Sequence, residues 1–233
     1  MKKLIIIPAY NESANIEKTV RDIEENAKGF DYVIINDCST DNTREICEAK
    51  GFNIVNLPIN LGIGGAVQTG YQYAVQYGYE LAVQVDGDGQ HDPQFLKQMA
   101  DYMENHDVDM VIGSRFIEKE GFQSSFMRRV GITYFTGLIK LCTGKKITDP
   151  TSGLRMAGCR VIRMFADSYP KDYPEPESVV SALRKGCVVQ EIPVVMRARQ
   201  GGESSITMKK SVYYMIKVTI AILMEVMRGG KRV

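Results

Sequence analysis

Residues 81–85 (Leu-Ala-Val-Gln-Val) run directly into Asp86-Gly87-Asp88-Gly89-Gln90-His91-Asp92-Pro93. A short, nearly continuous apolar run bounded by turn residues reads as a buried strand, so two carboxylates leave its carboxyl end together. The glycine after each acid lets a ligand approach the backbone closely. Open α/β sheets bind ligands at this edge, and hard divalent cations share such oxygen ligands with phosphates. The segment therefore points to an α/β sheet with metal-bound nucleotide chemistry at its carboxyl edge. Asp-Gly-Asp also occurs in calcium loops, but the twelfth position from Asp86 is Lys97 where an EF-hand needs glutamate. A solvated turn, with Asp92-Pro93 simply starting the next helix, is the plain alternative. The functional reading gives Asp88, with Gln90 and Asp86, to Mg²⁺ or Mn²⁺. His91 either joins the metal shell or is a hydrogen-bonding turn residue. His106 lies in an acidic, helix-ending stretch and is expected to be exposed.

The rest of the first half alternates strand and helix. Residues 4–7 form an apolar strand, and Ile16, Val20, Ile23 and Ala27 recur at the spacing of a buried helical stripe. Strands follow at 32–35 and 54–57, with a polar turn and a helix ending near Gly51 between them. Gly62, Gly64 and Gly65 open a helix to about Tyr77, and a helix from Pro93 and a strand at 110–112 come after the acid-bearing strand. Such alternation predicts a mostly parallel sheet with crossover helices. From Gly121 the pattern loosens to a helix over 126–142, a polar loop to Gly153, helices near Arg160 and Glu177, and a strand over 188–195. No repeat, low-complexity tract or linker divides the chain, and 233 residues at 44% hydrophobic content suffice for one catalytic domain. A net charge of +1 gives no global basis for nucleic-acid binding. The five cysteines are odd in number and lack a Cys-x-x-Cys pair, which predicts reduced thiols rather than disulfides or zinc. Four apolar residues between Lys3 and Pro8 are too few for a signal-peptide core, so a cytoplasmic location is expected.

Two further strand ends suit a nucleotide. In Pro8-Ala9-Tyr10-Asn11-Glu12, Tyr10 is placed to flank a base or ribose and Glu12 to accept from ribose hydroxyls. In Asn36-Asp37-Cys38-Ser39-Thr40-Asp41, Asp37 is placed to accept from a base N–H. Helix capping is the alternative for Asn11, Ser39 and Asp41. Asn60-Leu61-Gly62-Ile63-Gly64-Gly65 has glycines but neither a Walker lysine nor the dinucleotide spacing.

With Gly113-Ser114-Arg115 these segments stand in the order found in family-two glycosyltransferases with a GT-A fold, and the chain resembles that family over most of residues 3–206. Among its members it is most similar to dolichol-phosphate mannose synthase-like enzymes and their bacterial polyprenyl-phosphate relatives. The resemblance implies a Rossmann-like GT-A domain and an inverting, metal-dependent glycosyltransferase. It implies nucleotide contacts from Pro8, Ala9, Tyr10, Glu12, Asp37, Ser39, Asn60, Gly65 and Asp86, with Asp86, Asp88 and Gln90 at metal and diphosphate. It implies that Arg115, Arg128 and Arg129 bind an acceptor phosphate and that the element from Asp149 to Arg155, with Ser152, lines the sugar site. Glu177 matches the family's helix-opening glutamate, and Arg199-x-x-Gly202-x-Ser204 matches a loop that closes over the diphosphate.

In the implied reaction an incoming oxygen displaces the nucleoside diphosphate at the anomeric carbon, with the metal and Arg199 stabilising the leaving charge. A lipid phosphate is already anionic; a sugar hydroxyl needs a carboxylate such as Glu177 to take its proton. The expected donor is a nucleotide-sugar, a UDP-sugar ahead of GDP-mannose. The expected acceptor is a polyprenyl phosphate, with a saccharide hydroxyl as alternative. A nucleotidyltransferase lacks its triphosphate loop here, and a non-catalytic membrane-recruited subunit is a third possibility.

After a catalytic domain over 1–207, residues 208–233 are read as an amphipathic helix. Residues 212–227 are mainly apolar, and Lys210, Lys217, Glu225 and Arg228 fall near one narrow stripe. The segment is short for a bilayer of ~30 Å. It suits the membrane interface, with Lys209, Lys210, Lys217, Arg228, Lys231 and Arg232 near anionic headgroups. That places the enzyme peripherally on the inner face of the cell membrane. The alternative is burial against another subunit in a homo-oligomer. No transmembrane pair follows, which keeps the saccharide acceptor open.

Overall fold

Side chains alternate across β1 (Lys3–Ala9), so Leu4 and Ile6 enter one hydrophobic core while Ile5 and Ile7 enter another. A strand buried on both faces reads as a continuous apolar run, which is what parallel sheets covered by helices require. The computed structural model describes residues 1–87, 89–118, 126–197 and 208–227, with backbone alone for helical residues 126–128 and 208–212.

The other elements, in chain order, are α1 (Ile16–Asn26), β2 (Asp31–Asn36), α2 (Thr43–Lys50), β3 (Ile54–Asn56), α3 (Gly62–Gln76), β4 (Leu81–Gln84) and α4 (Gln94–Asn105). They are followed by β5 (Met110–Ser114), α5 (Phe126–Thr143), β6 (Arg155–Gly158), α6 (Cys159–Asp167), α7 (Pro174–Arg184), β7 (Val189–Pro193) and α8 (Met208–Met227). The seven strands are ordered β3-β2-β1-β4-β6-β5-β7. Helices α1, α2 and α4 cover one face; α3, α5, α6, α7 and α8 cover the other.

The sheet is mostly parallel, as the alternation predicts, but β6 runs antiparallel between β4 and β5. The sequence reading placed only a polar loop and a helix there. Arg155-Met156-Ala157-Gly158 is too short to show a period, and its strand state comes from pairing on both sides: Met156 lies opposite Val83 and Val111.

The expected C-terminal amphipathic helix is present as α8. One of its faces docks on this same chain, with Val218 and Ile222 buried in the core formed with α5 and α7. Arg184 Nη2 donates to Val226 O near its carboxyl end (3.1 Å), and Lys217 pairs with Asp172 (2.7 Å). The opposite face leaves Tyr213, Ile216, Ile220, Leu223, Met224 and Met227 exposed. Helix α8 is therefore apolar on two faces over its described side chains, one of them already covered. No helix among the described residues is long and apolar enough to cross a membrane.

Candidate active site

The chain leaves β1 for β2 on one side and reaches β4 on the other. Diverging crossovers open a crevice at the carboxyl ends of such neighbouring strands. A cleft of about 500 Å³ lies there, lined by Pro8, Ala9, Tyr10 and Glu12 after β1, Asp37 after β2, and Gln84, Asp86 and Gly87 at β4. Asn60, Gly62, Ile63 and Ala66 line it from the start of α3, and Glu175 from the first turn of α7.

The first two turns brace one another. Asn11 and Cys38 both have positive φ, 56° and 57°, a strained conformation for residues with a Cβ. Asn11 N donates to Ser39 Oγ (3.0 Å) and Thr40 N to Asn11 Oδ1 (2.8 Å), which compensates that strain. Ser39 thus acts on the neighbouring turn. Asp37 is buried, and its Oδ1 accepts Leu61 N–H (2.7 Å), fastening the start of α3 to β2. Close approach is strict at Gly64: a Cβ there would lie 2.0 Å from Pro170 O, so only glycine lets α3 meet the segment leading into α7. Gly65 packs toward the Leu61 side chain, leaving Gly62 and Ile63 to face the cleft.

The acid-bearing turn is held from several directions. Gln84 Nε2 donates to Asp86 Oδ1 (2.8 Å), Thr19 Oγ1 to Gly87 O (2.9 Å) and Arg197 N to Gln90 O (3.0 Å). Arg197 also pairs with Asp92 (2.9 Å) and Asp22. Buried His91 accepts the Asp86 N–H at Nδ1 (3.1 Å), which makes it a hydrogen-bonding turn residue, the second of its two expected roles. Asp88 lies outside the described residues, and among the described residues no group of three or more His, Cys, Asp or Glu converges on a metal position.

The described lining of the cleft carries the carboxylates of Glu12, Asp37, Asp86 and Glu175 and no lysine or arginine. Carboxylate oxygens with no lysine or arginine beside them are the donor type that hard divalent cations take, so the chemistry of this described lining fits Mg²⁺ or Mn²⁺.

The other half of the site is built on residues 148–155. Arg115 is buried, donating from Nε and Nη2 to the two oxygens of fully buried Asp149 (2.6 and 2.7 Å) and from Nη2 to Thr151 Oγ1 (3.1 Å). Its fork therefore holds this loop, and its charge is matched inside the protein, so the structure does not present it as the acceptor clamp expected from sequence. Glu191 on β7 accepts from Thr148 N (2.7 Å), Thr148 Oγ1 (3.0 Å) and Asp149 N (2.8 Å). Burial pushes its carboxyl above the usual range, against these hydrogen bonds. Buried Arg155 donates to Ser152 O (2.7 Å), Pro150 O (3.0 Å) and Ser178 Oγ on α7 (2.6 Å). The loop ends against the acid turn, where a Cβ on Gly153 would sit 3.1 Å from Asp86 Oδ2. Beside it lies a second cavity of about 300 Å³, lined by Phe116, Arg129, Ile132, Thr133, Thr136, Lys146 and Thr148.

Residues 4–168, which carry the acid turn, this loop and all of the cleft lining but Glu175, match the sequence pattern of glycosyl transferase family 2. The chain belongs to that family. The undecaprenyl-phosphate mannosyltransferase of Micrococcus luteus is 26% identical over 216 residues, covering 89% of this chain and 88% of the relative. The UDP-N-acetylglucosamine–dolichyl-phosphate N-acetylglucosaminyltransferase of Methanococcus voltae is 28% identical over 213 residues, covering 82% and 83%. Glucosyl-3-phosphoglycerate synthase from Mycobacterium tuberculosis, solved with Mn²⁺, UDP-glucose and phosphoglyceric acid, superposes at TM-score 0.72 and 17% identity, over 97% of this chain and 79% of that one. That likeness shows the GT-A fold.

This glycosyltransferase brings Pro8, Ala9, Tyr10, Glu12, Asp37, Asn60 and Asp86 to one cleft. Arg129 lines the other cavity, while buried Ser152 Oγ has no hydrogen-bond partner among the described residues. Glu177 lies in the first turn of α7, but Glu175 is the glutamate that lines the cleft. The Arg128 side chain, Arg199, Gly202 and Ser204 lie outside the described residues, as do the side chains of Lys209, Lys210, Arg228, Lys231 and Arg232. Gln84, Glu175 and Lys146 were missed by the sequence reading. Gln84 left a usable signal, a lone polar residue in an apolar strand; Glu175 stands in Pro174-Glu175-Pro176-Glu177, where spacing alone does not choose between the glutamates.

Proposed function

We propose that this glycosyltransferase moves a sugar from a UDP-sugar to a polyprenyl phosphate, inverting the anomeric centre. The carrying observation is the division of charge: carboxylates wall the donor cleft, whereas Arg129 and Lys146, with three threonines, line the neighbouring cavity. An acceptor that brings its own phosphate suits the cationic side, where charge-assisted hydrogen bonds are available. The relatives named for undecaprenyl and dolichyl phosphate support this acceptor. One relative named for a UDP-sugar, and the solved neighbour with Mn²⁺ and UDP-glucose, support the donor and the metal.

In this reading Asp37 accepts a base N–H with the carboxylate oxygen opposite the one taken by Leu61, and Glu12 accepts from the ribose. Asp86, Asp88 and Gln90 hold a divalent cation, which when bound supplies positive charge to the leaving diphosphate. Gln84 fixes the orientation of Asp86, and Arg199 adds charge to the leaving group. Arg129 and Lys146 hold the acceptor phosphate so that its oxygen meets the anomeric carbon opposite the diphosphate. No general base is needed, because that oxygen is already anionic at neutral pH. The uncovered face of α8, with exposed Val130, Tyr134 and Leu141 of α5, rests on the inner face of the cell membrane and gathers the lipid acceptor. A saccharide hydroxyl is the second reading, favoured by Glu175, which as a cleft-lining carboxylate takes the acceptor proton there.

The deciding experiment offers UDP-sugars and GDP-mannose to the full chain with Mn²⁺ or Mg²⁺, in the presence of polyprenyl phosphate or an oligosaccharide. Transfer to the lipid is expected, and exclusive transfer to the oligosaccharide would replace this reading by the second. Asp88→Asn should lower transfer at least about 10²-fold with the circular dichroism spectrum unchanged. Full wild-type turnover in excess chelator would sink the metal assignment.

A further inference from the structure

We propose that Glu191 is a positioning residue that couples the acceptor and donor sides: by holding the backbone of Thr148 and Asp149, its carboxylate sets how residues 148–153 seat against Asp86. The proposal rests on the acceptor reading above for its kinetic consequence, and on geometry alone for its structural one.

Glu191 stands on edge strand β7, in register with Ile112 of β5. A partly buried carboxylate is costly unless hydrogen bonds satisfy it. All three of its observed donors belong to two consecutive residues, Thr148 and Asp149. Both oxygens are used, so the carboxylate grips a single turn from behind. That turn continues in two directions. Thr148 faces the cationic cavity with Arg129 and Lys146, and its hydroxyl also meets Ser114 Oγ (2.8 Å). Asp149 receives the Arg115 fork, its carbonyl accepts Ser152 N–H (3.2 Å), and Gly153 follows, where a Cβ would lie 3.1 Å from Asp86 Oδ2 and 3.3 Å from His91 Cε1. Arg155 holds the carbonyls of Pro150 and Ser152, which leaves the segment little freedom to absorb a shift at its start. A displacement at Thr148 and Asp149 is therefore carried both to the acceptor cavity and to the acid turn. Glu191 itself lines neither cavity, and so acts through the loop.

Glu191→Gln keeps the size but turns one acceptor into an NH₂ group, which must face a backbone N–H of Thr148 or Asp149. The turn then has to move. In the full chain the acceptor KM should rise about tenfold or more, as for loss of a charged hydrogen bond, and UDP affinity by calorimetry should fall by a smaller factor, because the acid turn is reached only through Gly153. Glu191→Asp, which keeps the charge on a shorter stem, should recover part of the loss. By hydrogen exchange the amides of Thr148 and Asp149 should exchange faster in Glu191→Gln, with β5 amides unchanged. Unchanged exchange at both amides would overturn the proposal, as would an unaltered acceptor KM in a folded variant or an unaltered UDP affinity. Should Glu191→Gln not fold, Glu191→Asp decides: relative to wild type it should speed exchange at the Thr148 and Asp149 amides and raise acceptor KM, and no change in either counts against the coupling. A wild-type enzyme that ignores polyprenyl phosphate refutes the acceptor reading, and the exchange result still decides the role of Glu191.

Discussion

The carboxylate-lined cleft, proposed for the donor, and the smaller cavity at Thr148, proposed for the acceptor, have opposite chemistry. The first is walled by Glu12, Asp37, Asp86 and Glu175; the second carries Arg129 and Lys146. Both occur in a chain whose charges nearly cancel, 29 basic against 28 acidic. Net charge therefore says nothing about either site, because fields at a ligand are set by groups within about one Debye length, ~8–10 Å. The contrast also separates the two anions of the proposed reaction: the diphosphate needs a cation brought with it, and the acceptor phosphate meets cations already built in.

If that division is real, it breaks asymmetrically. Replacing Arg129 and Lys146 together by glutamine should lower kcat/KM for polyprenyl phosphate by about 10²-fold or more, since each charged hydrogen bond contributes roughly 1.5–3 kcal/mol, while slow donor hydrolysis persists. Asp37→Ala should do the reverse, weakening UDP binding about tenfold and leaving the acceptor KM in place. Equal effects of both variants on both substrates would merge the two sites into one.

The two faces of α8 sharpen the comparison further. Val218→Asp buries a charge against α7 and should destabilise by ~3 kcal/mol or more, read as a lower denaturant midpoint. Ile216→Asp on the uncovered face should change stability by less than about 0.5 kcal/mol, yet reduce flotation with anionic liposomes. Flotation unaffected by Ile216→Asp would point to a subunit interface instead.

The smallest effect concerns the donor half. Burial, aided by nearby Glu48, pushes the Cys47 thiol up to about 11. The folded protein then binds more protons than the unfolded chain between the ordinary thiol value of about 8.5 and 11, so this contribution to stability is present below pH ~8.5 and lost as pH rises through 11. At pH 8 a maleimide should label exposed Cys159 and spare Cys47 until the protein unfolds. Equal labelling rates would contradict the buried environment of α2.

The donor half was largely legible because each of its cues is local. Leu4 and Ile6 alternate with Ile5 and Ile7, the stripe of α1 repeats at helical spacing, and Asp37 and Asp86 stand within two residues of the ends of the strands that deliver them. The acceptor half lacked such cues. Arg155 ended the element expected to line the sugar site and is a buried brace for the loop, while Arg115 was expected to bind an acceptor phosphate and is held by Asp149, thirty-four residues away. Nothing in the spacing of either residue carries that information.

The sequence by itself determined the order of βα units, the strand ends where acids emerge, and the apolar character of α8, since all three follow from period and chain direction. Only the tertiary structure decided that β6 inserts antiparallel between β4 and β5, that His91 accepts from Asp86, that Glu175 lines the cleft, and which face of α8 is covered. The physical reason is the same in each case. A backbone period acts between near neighbours along the chain, whereas strand pairing, the packing of one helix on another and the lining of a cleft depend on groups that chain folding alone brings together.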